Sequence, residues 1–159
     1  MQALGVRLAG LLEAGDLVVL SGSLGAGKTT LTRGIGVGLR VRGPVTSPTF
    51  VVARVHPSTV DGPALVHVDA YRLADLAEVD DLDLDASLEE SVTVVEWGAG
   101  KVEGLAQSRL EISLDRSYGA GSDPDTPDTP DTPDDEVRVV TVLGIGDRWA
   151  ATDLVAALQ

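Results

Sequence analysis

Gly22-Ser23-Leu24-Gly25-Ala26-Gly27-Lys28-Thr29 fits the spacing GxxxxGK[ST], and that spacing suits one task, the cradling of a polyphosphate. Glycines let the backbone curl until successive N–H groups converge on phosphate oxygens. The N-terminus of a following helix adds a partial positive charge beneath the anion. Lys28, one of only two lysines in the chain, is expected to reach the β and γ phosphates. The Thr29 hydroxyl is expected to bind magnesium, with Thr30 beside it in the same turn. ATP and Mg2+ are therefore the expected cofactors. No [NT]-K-x-D motif for reading guanine is present, which argues against a GTPase.

A phosphate loop of this kind works with a second, magnesium-directed acid at a strand end. Two residues qualify. Leu65-Val66-His67-Val68-Asp69 places Asp69 at the end of an apolar run, and Val92-Thr93-Val94-Val95-Glu96 does the same for Glu96. Residue logic alone does not rank them, and a strand-end acid can equally cap the next turn. Thr46-Ser47-Pro48-Thr49 lies between the phosphate-loop helix and the next strand, a region that senses the γ-phosphate in many P-loop proteins. Its hydroxyls can reach magnesium or water, or can serve simple turn chemistry. Trp97 either borders the nucleotide or belongs to the core. His56 and His67 read as structural, since nothing near them has metal-ligand spacing.

The elements that must position these residues follow from apolar periodicity. Leu4, Leu8, Leu11 and Leu12 predict a helix over 2–14, ended by Gly15. Leu17-Val18-Val19-Leu20 is a continuous apolar run, as in a strand covered on both faces. A second helix is predicted from about 27 to 39, although Gly34, Gly36 and Gly38 each weaken it by ~1 kcal/mol relative to alanine. Tertiary packing must make up that loss. Strands are predicted over 49–55, 65–69 and 92–96, with 109–114 and 137–143 forming a hairpin. One or two short helices are expected in the acidic stretch after Tyr71, and another over 149–158. The fold class expected is α/β, a three-layer P-loop NTPase domain spanning 1–159. Its sheet is mainly parallel with antiparallel additions.

Composition narrows the setting. There is no cysteine, which excludes disulfides and suits a reducing compartment. No apolar stretch approaches the ~18 residues of a membrane helix. No signal peptide is read at the N-terminus, so the expected location is cytoplasmic, without membrane contact. The formal net charge is −13, and fifteen of the 25 acids fall in two base-free stretches, 73–90 and 117–136. An acidic exterior argues against this chain gripping nucleic acid alone. Within the second stretch, Asp123 to Asp135 repeats Pro-Asp-Thr and offers no apolar side chain to bury, so 117–136 is expected to be a disordered loop insertion. The first is a candidate partner surface.

Four blocks in fixed order carry a resemblance. They are Gly22 to Thr30, then Thr46-Ser47-Pro48-Thr49-Phe50, then His67-Val68-Asp69-Ala70-Tyr71-Arg72-Leu73, then Val95-Glu96-Trp97. Together they closely resemble the TsaE (formerly YjeE) family, ATPases of bacterial tRNA threonylcarbamoyladenosine biosynthesis. The resemblance implies work alongside TsaB and TsaD, which modify the adenosine next to the anticodon of tRNAs reading codons that begin with A. It implies an indirect role, with tRNA met only through the complex and the ATP cycle resetting the partners between turnovers. It further implies that Lys28 holds phosphate, Thr29 and Glu96 ligate magnesium, Asp69 supports hydrolysis and Trp97 lies close to the nucleotide. Hydrolysis in such proteins is weak and partner-dependent. Two departures stand out. Ser23 occupies a loop position where Asp is common, which backbone-dominated binding should tolerate. Members usually begin earlier in this frame, with a segment that helps line the site, so that part is expected to be reduced or to precede Met1.

Two other classes compete. One is a small-molecule kinase, against which stands the lack of an Arg-rich lid and of room for an acceptor domain. The other is a nucleotide-gated binding module with incidental hydrolysis.

Overall fold

The computed structural model describes residues 1–49, 52–73, 88–116 and 138–159. The chain opens with α1 (Gln2–Ala9), then β1 (Leu17–Gly22) and α2 (Lys28–Gly38). Strands β2 (Ala53–His56) and β3 (Ala64–Asp69) follow, and a 3-10 turn spans Ala70–Arg72. After β4 (Ser91–Glu96) come a second 3-10 turn at Glu103–Leu105 and the strands β5 (Arg109–Arg116) and β6 (Arg138–Ile145). Two short helices, α3 (Asp147–Ala150) and α4 (Leu154–Leu158), end the chain.

The strands form one sheet in the order β2-β3-β4-β1-β5-β6. The inner four are parallel, and each edge strand runs antiparallel to its neighbour. This is the α/β sheet with antiparallel additions that the sequence predicts. Leu17-Val18-Val19-Leu20 is buried on both faces because other elements cover the sheet on both sides. On one face Val18, Leu20, Val92 and Val94 pack against Leu8, Leu31 and Ile35 of the helices. On the other, Leu17, Val19, Val68 and Val95 meet Leu88 and Val102. Among the described residues no helix is long and apolar enough to cross a membrane.

Several boundaries differ from expectation for local reasons. Helix α1 stops at Ala9 rather than 14. Leu11 and Leu12 bond back three residues, to Leu8 and Ala9, so the chain tightens after Gly10 while Leu12 stays buried. The strand expected over 49–55 begins only at Ala53, because Val52 takes a left-handed φ of 70° and bonds Pro48. The helix expected over 149–158 is split, and the Asp153 carboxylate caps its second half by accepting from Ala156 N–H. The helices expected after Tyr71 and the Pro-Asp-Thr loop fall on residues outside those described.

The glycines of α2 have a packing explanation. Gly34 lies against Gly5 of α1, and a Cβ on Gly34 would overlap the Gln2 carbonyl oxygen. A Cβ on Gly36 would come within 2.6 Å of Val45 Cγ2. Backbone contact between α1 and α2 replaces the helix propensity that glycine lacks. Gly34→Ala separates the two effects. Propensity alone would stabilise by ~1 kcal/mol, whereas overpacking should destabilise by about 1–3 kcal/mol. We expect a lower urea midpoint; a raised midpoint would show that the helices are free to part.

Candidate functional site

The phosphate loop joins β1 to α2, and two of its glycines are required by geometry. Gly22 has φ 133° and lies so close to Leu114 that a Cβ would overlap that residue's carbonyl oxygen. Gly27 has φ 106° and caps α2 at its N-terminus. The loop opens on a cavity of about 420 Å³ lined by Leu24, Gly25, Gly27, Lys28, Thr29 and Thr30 from this segment. Ser47, Thr49, Asp69, Tyr71, Glu96 and Trp97 complete the wall. Sheet order explains the convergence. Leu20 pairs with Glu96, and Asp69 pairs with Glu96 across the next ladder, so β3 and β4 end level while β1 runs two residues further, to Gly22, where the phosphate loop begins.

Lys28, Asp69 and Glu96 are only 5%, 4% and 3% exposed. Desolvation at that level requires partners. Lys28 Nζ donates to the carbonyls of Gly22 at 2.8 Å and Ser23 at 2.9 Å. It also sits 3.7 Å from the centroid of the Trp97 ring, a cation–π contact. Burial pushes the Lys28 ammonium below the ordinary lysine range, against the opposing pull of Glu96 and Asp69. Thr29 Oγ1 donates to Glu96 Oε2 at 3.0 Å, and Glu96 Oε1 meets His67 Nε2 at 2.7 Å.

Asp69 serves a separate cluster. Its Oδ2 accepts from Thr49 Oγ1 at 2.6 Å and Ser47 Oγ at 3.2 Å, and its Oδ1 accepts the Tyr71 amide at 3.0 Å. The two hydroxyls are 2.6 Å apart. The loop before β2 is thereby tied to the end of β3. Trp97 adopts a left-handed φ of 61°, a conformation that costs a bulky residue about 1–3 kcal/mol. Its amide bonds Leu20 O at 2.9 Å, and its ring lies 5.1 Å from that of Tyr71. The strained turn swings the indole over Lys28.

The structure thus brings Lys28, Thr29, Thr30, Ser47, Thr49, Asp69, Glu96 and Trp97 to one cavity. Gly22 and Ser23 contribute carbonyls to Lys28, and Ala26 is buried in the core. Thr46 and Pro48 point elsewhere in the bonding scheme: Thr46 Oγ1 accepts from Arg54, and Pro48 O accepts the Val52 amide. Tyr71 was not anticipated, and only the fold's juxtaposition of strand ends brings it to Trp97. His67, which the sequence marks as structural, touches Glu96; its parity with Asp69 on one strand is the available signal. Thr29 and Glu96 supply a hydroxyl and a carboxylate, the hard oxygens that magnesium accepts in small number. Among the described residues no cluster of three or more His, Cys, Asp or Glu forms a metal cage.

His56, on β2, offers a check on the surrounding packing. Burial, ahead of its other influences, holds its imidazole below the ordinary histidine range. The unfolded chain then binds the extra proton, so stability is complete above about pH 6.5 and is lost as pH falls through the folded value. The urea midpoint should drop between about pH 7.5 and about pH 5.5, and drop less in His56→Gln. Equal losses in both proteins would remove His56 as the cause.

The chain is similar to known proteins along most of its length. The family model described as "Threonylcarbamoyl adenosine biosynthesis protein TsaE" matches residues 1–121. The chain is 64% identical over 155 residues to the tRNA threonylcarbamoyladenosine biosynthesis protein TsaE of Streptomyces coelicolor, covering 97% of each. It is 34% identical to the Bacillus subtilis protein of the same name, over 93% of this chain and 82% of that one. The crystal structure of Bacillus subtilis YdiB superposes with a TM-score of 0.64 at 30% identity, covering 93% of this chain and 80% of the other.

Proposed function

The chain belongs to the TsaE family, and from that premise we propose that it binds and hydrolyses ATP, with magnesium, as the nucleotide-dependent component of the tRNA threonylcarbamoyladenosine machinery. The observation that carries this reading is the 3.0 Å contact between Thr29 Oγ1 and Glu96 Oε2 beside the buried Lys28. A hydroxyl and a carboxylate from different elements meet where the phosphate loop would present a triphosphate. Charge neutralisation on the phosphate oxygens is what magnesium supplies when bound there.

The chain's own groups divide the remaining work. Amides at the start of α2 have no intrahelical acceptors and face the anion. Lys28 exchanges its bonds to Gly22 and Ser23 for bonds to phosphate. Asp69 supports hydrolysis by fixing the Ser47 and Thr49 hydroxyls on the cavity wall, where they can orient water or a phosphate oxygen. Trp97 screens Lys28 from solvent and borders the nucleotide.

TsaB and TsaD are the proposed partners, with tRNA met only through them and the reaction set in the cytoplasm. A net charge of −13 supports that indirect role, because an anionic surface repels the tRNA backbone. Phosphate release should be Mg-dependent, slow for the chain alone and faster with TsaB and TsaD added. Failure to bind ATP with magnesium present would overturn the proposal. Release indifferent to both proteins would favour a nucleotide-gated module, and label transferred to an added metabolite would favour a kinase.

A further inference from the structure

We propose that His67 is a positioning residue that fixes the Glu96 carboxylate for its metal-binding role; the inference rests on the reading of Glu96 as a magnesium ligand. His67 lies on β3 and is 0% exposed. Its main-chain register partner on β4 is Val94, two residues before Glu96, so the imidazole and the carboxylate are diagonal neighbours on one face. Nε2 reaches Oε1 at 2.7 Å, while Oε2 faces the Thr29 hydroxyl at 3.0 Å. The two oxygens of one carboxylate are therefore committed to different tasks. An ionised carboxylate only accepts, so Nε2 carries the donated proton.

Packing does not account for the imidazole. Its Nδ1 is buried without a hydrogen-bond partner among the described residues. An apolar side chain of similar size would fill the same space and leave no such orphan. The gain that offsets this cost is the bond to Oε1. Without it, Oε1 would be unpaired in a site where Glu96 is 3% exposed, and the carboxylate would be free to turn away from Thr29. Carboxylates and imidazoles that hold metal ligands in place commonly change metal affinity or activity by about 10–100-fold when removed.

The test uses the full chain with ADP and Mn2+ as the metal probe, bound Mn2+ being read by electron paramagnetic resonance. His67→Gln can present its amide nitrogen near the position of Nε2, whereas the shorter His67→Asn cannot reach Oε1. His67→Asn should weaken Mn2+ binding by about 10–100-fold, and His67→Gln should remain close to wild type. ADP affinity in EDTA should be unchanged in both. Should the Asn variant fail to melt cooperatively, His67→Met supplies the donor-free side chain. Wild-type Mn2+ affinity in the donor-free variant, or equal weakening in Asn and Gln, would overturn the inference while leaving the reading of Glu96 intact. Absence of nucleotide-linked Mn2+ binding in the wild-type protein would instead overturn that reading and this inference with it.

Discussion

Lys28→Ala is expected to lower ATP affinity by about 100-fold or more, whether or not magnesium is present. The size follows from losing two or more charge-assisted contacts to phosphate, together worth at least ~3 kcal/mol. In the free protein the ammonium is held by the Gly22 and Ser23 carbonyls and the Trp97 ring, so it is already oriented toward the loop interior. Burial also pushes its pKa down, which means an anion entering the site meets a poorly solvated cation. Isothermal titration with ATP in EDTA and in Mg2+ measures the effect. Unchanged affinity would show that the loop amides suffice and that Lys28 is merely packed. Fold stability should change little by comparison, because the loss of the two carbonyl bonds and of a cation–π contact worth only about 0.5–2 kcal/mol is offset by removing a desolvated charge.

Glu96→Gln should separate nucleotide binding from its magnesium dependence. Glutamine keeps an oxygen or amide within reach of Thr29 and His67, so the local packing survives. What disappears is the negative charge. ATP affinity in EDTA should stay within a fewfold of wild type, while the magnesium-dependent gain in affinity should vanish. Turnover should fall by roughly 100-fold or more, since metal-borne charge stabilisation is worth several kcal/mol. Phosphate release measured across a magnesium titration checks both statements. A variant with normal turnover and normal magnesium dependence would remove Glu96 from the metal site and leave Thr29 without its carboxylate partner.

Much of the site was legible because its central part is contiguous. The phosphate loop, the strand before it and the helix after it are one stretch of chain, and each is marked by short-range preferences. Gly22 and Gly27 sit at backbone angles that side chains resist, and the apolar run of Leu17 to Leu20 needs cover on both faces. The start and end of α2 fall within a residue of expectation for the same reason. The ends of α1 and β2 did not, because they depend on how the chain leaves an element. A tightened turn after Gly10 and a left-handed Val52 leave no periodic trace. The glycines of α2 weaken the helix by propensity alone, and only the packing of Gly34 against Gly5 explains them.

The amino-acid order by itself determined that a phosphate-cradling loop would stand between a buried strand and a helix, and that Asp69 and Glu96 would each end an apolar strand. It could not say from the residues which acid would meet Thr29. That was decided by the order β3-β4-β1, which sets Glu96 beside Leu20 in the adjoining ladder and puts Asp69 one strand further away, with Ser47 and Thr49. The same arrangement brought His67 to Glu96 and Tyr71 to Trp97. The physical reason is that strand order and register come from burying side chains far apart in the chain, whereas the loop's shape comes from torsions of neighbouring residues.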